Sequence, residues 1–157
     1  MNRKLIDTYE AGGSKLRAGI QGLSAAQLDA RPGDGSWTIR QIVLHLMDSD
    51  LIASERMKRV IAMDAPVLIA YDESAFAAKL SYDVLDANLA VDVFDGNRKL
   101  TAALLRRQSD AAFDRVGNHN ERGPITLASL VETYVQHLDH HMAFIQRKRN
   151  LAAPAAR

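Results

Sequence analysis

The chain of 157 residues contains no cysteine. That excludes a disulfide scaffold, a thiolate zinc site, an iron–sulfur cluster and a cysteine nucleophile. It also has almost no net charge. Twenty Lys and Arg face nineteen Asp and Glu, for a formal charge of +1, so no global field draws it to nucleic acid or anionic lipid. No apolar run approaches the roughly 18 residues of a membrane span. Met1–Leu5 leads straight into a polar segment, without the apolar stretch of a signal peptide. The expectation is a soluble cytoplasmic protein with neither nucleic-acid nor membrane partners. Strand-like alternation of useful length and internal repeats are missing too. What is present is ordinary for a globular domain: 47% apolar and 25% charged residues. A chain of this length buries roughly 68–70% of its unfolded surface, enough for one core without staples.

The patterning reads as helix. Ile6, Tyr9, Gly13, Leu16, Ile20 and Leu23 follow steps of three and four, a seam on one helix face. Gly12-Gly13 inside it predicts either a close approach by another backbone or a bend. Ser24 to Gln27 is a capping-box pattern for a short helical turn. Residues 31–35, Arg-Pro-Gly-Asp-Gly, read as a loop. Thr38 and Gln41 form a second capping box, with Trp37 and Ile42 placed as a hydrophobic staple. A long helix is expected from Ile39 to about Met63, stopped near Pro66. Residues 64–81 are a connection with a short helix over Ser74–Leu80. A third long helix is expected from near Tyr82 to Gln108, with Leu85, Leu89, Val93, Leu100 and Leu104 facing inward. Residues 109–125 read as a loop. The fourth helix is expected from Thr126 to about Asn150, with Ile125 and Leu130 as its staple. Four long helices with two long connections define an all-α four-helix bundle. No domain boundary is evident, so residues 1–151 are one domain and 152–157 a frayed tail.

The chemistry sits in the histidines. Of five, three fall within Gln136-His-Leu-Asp-His-His141. His137 and His141, at i and i+4, share one helix face. The apolar stripe Leu127, Leu130, Tyr134, Leu138 and Ile145 includes His141 and has His137 at its edge, so the pair points inward. Burying two imidazoles costs a few kcal/mol unless their nitrogens find partners. A shared divalent metal satisfies both, and His45 on the second helix is the natural third ligand. Core histidines bonded to Asp48 or to backbone carbonyls are the alternative. Asp48, one turn after His45, is placed to receive a ligand's second N–H or act as a base. Otherwise it is a solvated residue or pairs with Arg40 or Arg59. Arg56, near the same angle as His45, is a candidate for an anionic substrate group or for an intrahelical pair. Tyr134, one turn before His137, is a candidate for contact with substrate or a core tyrosine.

Four segments resemble the DinB/YfiT-like superfamily: Trp37 to Asp50 with His45, Tyr71-Asp72-Glu73 followed by Phe76, residues 119–127 from His119 to Leu127, and His137 to His141. The resemblance runs from about residue 37 to 146. It implies a four-helix bundle with a three-histidine site for one divalent metal, zinc or nickel. Carried over, the ligands are His45, His137 and His141, while His140 matches a neighbouring histidine that is not a ligand. Many members are named as metal-dependent hydrolases. Some relatives transfer a low-molecular-weight thiol, such as bacillithiol, mycothiol or glutathione, to an electrophile. The resemblance therefore implies a small-molecule enzyme, a thiol transferase or a hydrolase, and a homodimer. A non-catalytic metal-binding or dimerising bundle is the reading from a different class. Phe76 stands where a tryptophan is frequent and Leu44 where a second histidine can precede the ligand, and both bear on substrate choice.

Overall fold

The computed structural model describes residues 2–31 and 36–151. Most of the 31–35 loop and the 152–157 tail expected above lie outside the described residues. Six α-helices run α1 (Asn2–Ile20), α2 (Ala25–Asp29), α3 (Ile39–Ala62), α4 (Glu73–Lys79), α5 (Ala87–Leu105) and α6 (Leu127–Leu151). The long helices α1, α3, α5 and α6 form a four-helix bundle. In it α1 packs on α5 and α6, and α3 packs on the same two.

The helix starts are where the caps place them. Ser24 and Thr38 each close a full capping box, with Gln27 and Gln41 reaching back to the cap N–H. Asp72 accepts from the Ala75 N–H at 2.9 Å and starts α4. Asp86 accepts from Asn88 and Leu89 and starts α5, which is why that helix begins at residue 87 and not near Tyr82. Thr126 accepts from the Ser129 N–H at the head of α6.

The inward face expected for α5 is wrong. Leu85, Leu89, Val93 and Leu100 are exposed, at 39–69%, and Leu104 is half-buried. The buried face is Ala87, Ala90, Val91, Phe94, Asp95, Arg98, Thr101, Ala102 and Leu105. Its steps are as regular as those of the outward stripe. It carries an arginine and an aspartate, however, and polar residues in a seam hide it from a hydrophobicity reading.

Those charges belong to a polar layer across the middle of the bundle. One apolar cluster lies on one side of it, with Leu16, Ile42, Phe94 and Ile145. A second lies on the other, with Ile6, Met57, Leu105 and Leu127. Between them Arg98, 1% exposed, joins all four long helices. It donates to Asp50 of α3 at 2.9 Å, to the Tyr9 carbonyl of α1 at 3.0 Å and to the Tyr134 carbonyl of α6 at 2.8 Å. The rings of Tyr9 and Phe94 each lie 4.4 Å from its guanidinium carbon. The two glycines of α1 make room for this layer. A Cβ at Gly12 would lie 2.2 Å from Arg98, and one at Gly13 would lie 2.1 Å from the Asp95 carboxylate and 3.0 Å from its backbone. Of the two outcomes expected at Gly12-Gly13, the structure shows the close approach, by α5.

Three short strands also form, against the expectation of none. β1 (Val67–Leu68) pairs in parallel with β2 (Val116–His119), and β2 pairs antiparallel with β3 (Gly123–Thr126). Strands of two to four residues containing Gly, Asn and Pro carry too little alternation to be read. Gly123, at φ +75°, ends the three-residue hairpin loop. The sheet ties the 64–72 connection to the hairpin, and Leu68 and Ile125 pack it on the second apolar cluster.

Candidate metal centre

Three ring nitrogens meet in that layer. His137 Nε2 lies 3.1 Å from His45 Nε2 and 3.1 Å from His141 Nε2. One ligand nitrogen from each ring falls within 4.8 Å of the others. His45 comes from α3, and the i, i+4 spacing on α6 supplies the other two. His45 is 1% exposed, while His137 and His141 are half-buried. Burial drives the His45 and His141 rings down to about 4 and His137 to about 3, each assisted by a neighbouring imidazole. All three are therefore neutral near neutral pH.

Neutral imidazoles in this arrangement fit a metal. Three Nε2 atoms converge, and among the described residues the buried Nδ1 atoms of His45 and His141 have no partner. A proton on each orphaned Nδ1 leaves the Nε2 lone pairs aimed at one another, which only a shared cation or proton relieves. Ligand nitrogens about 2.0–2.1 Å from a tetrahedral ion stand roughly 3.3 Å apart, close to the two separations His137 makes.

The surroundings divide the other expected residues. Asp48 accepts the Tyr82 hydroxyl and bonds none of the three imidazoles. Neither of its alternative partners is engaged with it, because Arg40 pairs with Asp29 and Arg59 with Glu55. Arg56 is buried and makes no intrahelical pair. It donates to the Tyr134 hydroxyl at 3.0 Å and to the Ile69 carbonyl. Tyr134 is buried with its ring 6.0 Å from His137. His140 is exposed and stacks edge-on with Phe144 outside the cluster.

A cleft of about 410 Å3 opens beside the imidazoles. Its lining includes His137, Tyr134 and Arg56, with Tyr71 just before α4, Glu73 at its start and His119 at the end of β2. The Glu73 carboxylate reaches to 3.7 Å from His45 Nε2. Burial pushes the Tyr71 hydroxyl up to about 12. The helix pattern gives no site role to Glu73 or Ser49 and reads Trp37 only as a hydrophobic staple. The only sequence signal for Glu73 is the Tyr71-Asp72-Glu73 match, because its approach depends on how the 64–72 segment folds back. A larger groove of about 560 Å3 lies between the start of α1 and the end of α5. There Arg106 pairs with Asp7 and Glu10, and the groove has no histidine.

Fold and site define a four-helix bundle with a three-histidine cluster bordering a cleft. Residues 8–145 match the DinB superfamily, and the chain belongs to it. It is 32% identical over 143 residues to "Putative metal-dependent hydrolase YfiT" of Bacillus subtilis, covering 90% of this chain and 80% of that protein. It is also 32% identical over 130 residues to "Putative metal-dependent hydrolase OB0782" of Oceanobacillus iheyensis, covering 83% and 75%. The solved structure of B. subtilis YfiT superposes with a TM-score of 0.88 at 30% identity, over 94% of this chain and 85% of that one. That structure is described as a metal-dependent hydrolase, qualified as "probable", "with an unusual four-helix bundle topology". Relatives named as metal-dependent and three converging imidazoles together support a metal cofactor. No helix among the described residues is long and apolar enough to cross a membrane.

Proposed function

We propose that this protein is a divalent-metal-dependent enzyme that transfers a low-molecular-weight thiol to an electrophilic small molecule. The observation that carries it is an all-imidazole ligand set against the wall of a small-molecule cleft. His45, His137 and His141 hold the metal, zinc or nickel. They add no charge, so the full positive charge of the ion is left for an anionic visitor, and the chain has no thiolate of its own to compete. A cation held there supplies Lewis acidity that lowers the pKa of a thiol and favours its thiolate.

The chain's own groups do the rest. Glu73, beside His45 and exposed to the cleft, takes the proton released by the thiol. Tyr134, fixed by Arg56, walls the cleft next to His137. The sulfur forms a bond to the electrophilic carbon, and the leaving group departs with the bonding electrons. Hydrolysis of a small molecule is the second reading, favoured by the names of the relatives. There the same cation would lower the pKa of water. The outward stripe of Leu85, Leu89, Val93 and Leu100 supports a homodimer.

The test is a screen of zinc- and nickel-loaded protein with bacillithiol, mycothiol and glutathione against a fluorogenic chlorinated electrophile. His45→Ala protein is the blank. Thiol-dependent conjugation above that blank is expected. Hydrolysis of an activated ester with no conjugation by any thiol would replace transfer by the second reading.

A further inference from the structure

Among the described residues two arginines are buried in the bundle, and one of them has a counter-ion. Arg98, at 1% exposed, is neutralised by the Asp50 carboxylate. Arg56, at 7% exposed, donates to a phenol and to a backbone carbonyl, both neutral, and its buried Nε has no partner. Among the described residues it forms no ion pair. A buried charge without a counter-charge costs several kcal/mol, so such groups are normally paired.

The unpaired guanidinium borders the cleft it shares with His137. Two more basic groups line that cleft from the β2–β3 hairpin. Arg122 is exposed and unbonded to any described residue, and His119 is held low by burial and by the charges of Arg56 and Arg122. Of the cleft's three carboxylates, Asp72 caps α4, Glu73 turns to His45, and Glu121, exposed on the hairpin loop, forms no ion pair with Arg56 or Arg122. Arg56 bonds the Tyr134 hydroxyl, and the Tyr134 ring neighbours His137, so a ligand of a few carbons spans guanidinium and metal centre.

We propose that Arg56 is the receptor for an oxyanion on the substrate, with Arg122 at the rim of the same subsite. The cleft takes a small molecule that carries a carboxylate or phosphate at one end and offers its reactive group to the imidazole cluster at the other. This rests on the small-molecule reading above and narrows its substrate class to anions.

Isothermal titration of the zinc-loaded full chain with 3-mercaptopropionate and with its neutral amide tests it. The acid is expected to bind at least about tenfold more tightly, the size of one charge-assisted pair. Arg56→Met should erase that preference while zinc content stays unchanged, and Arg56→Lys should keep part of it. Equal binding of acid and amide by wild type overturns the proposal, whether or not the Met variant folds. Titration of the metal-free protein with succinate and with inorganic phosphate separates the two oxyanions. It also isolates the subsite from the metal. Saturable anion binding there, with no thiol conjugation in any assay, would sustain the subsite and remove the transferase reading. No binding of either anion by metal-free or zinc-loaded wild type overturns the subsite and leaves the metal centre untouched.

Discussion

The indole of Trp37 lies against the imidazole of His45, ring centroids 5.0 Å apart and tilted by 57°. The residue before the N-cap of α3 thus touches a residue at the heart of the proposed metal centre. Trp37 is the only tryptophan in the chain, so its fluorescence reports on that centre alone. Nickel or cobalt bound at His45 should quench it saturably at about one equivalent. His137→Ala should abolish the saturable phase although it leaves Trp37 and His45 in place. Quenching that persists undiminished in the variant would put the ion elsewhere.

The imidazoles also set a pH response. Burial holds His45 and His141 at about 4 and His137 at about 3, against about 6.5 in an unfolded chain. Between those values the unfolded state binds more protons, so stability rises with pH. The contribution is fully present above about pH 6.5 and is lost as pH falls towards 4. For His45 alone the loss from pH 7 to 5 is about 2 kcal/mol in metal-free protein. Urea denaturation across that range should be shallower in pH for His45→Gln. In the folded protein no ligand proton has to leave, so metal affinity should stay nearly flat from about pH 8 to about pH 5. A tenfold loss between pH 7 and 6 would show ordinary, solvated histidines.

Arg98 and Asp50 give the fold its polar brace. Burial pushes the Asp50 carboxyl up even though Arg98, Asn97 and Tyr9 hold it down. Asp50→Leu strands a buried guanidinium and should cost about 3–5 kcal/mol, with much of the loss recovered by adding Arg98→Met. Urea midpoints of the single and double variants measure this. Because Arg98 also holds the Tyr134 carbonyl one turn before His137, the single variant should weaken metal binding as well. Equal losses in the single and double variants would remove the brace.

How far these features could be read in advance depends on the kind of residue that carries them. α1, α3 and α6 were legible because their seams are apolar and their caps are local: Thr38 with Gln41 is enough to start α3. The histidine cluster was approachable because i, i+4 on a helix needs no tertiary knowledge to place His137 beside His141. The partner of each polar residue was not legible. Asp48 and Asp50 are two residues apart on α3, yet one meets Tyr82 and the other Arg98. Only the assembled bundle decides that. The same ambiguity turned α5 around, since its buried side holds Asp95 and Arg98 while leucines face outward. Glu73 and His119 reach the cleft through strands too short to show a period.

One metal ion held by three imidazoles from α3 and α6 underlies the proposed chemistry. Elemental analysis of protein purified without an affinity tag, then dialysed with zinc or nickel and freed of excess, tests it most directly. Wild type should retain about one equivalent, and each of His45→Ala, His137→Ala and His141→Ala should lose most of it, with His140→Ala unaffected. Full metal content in His137→Ala and His141→Ala would contradict it.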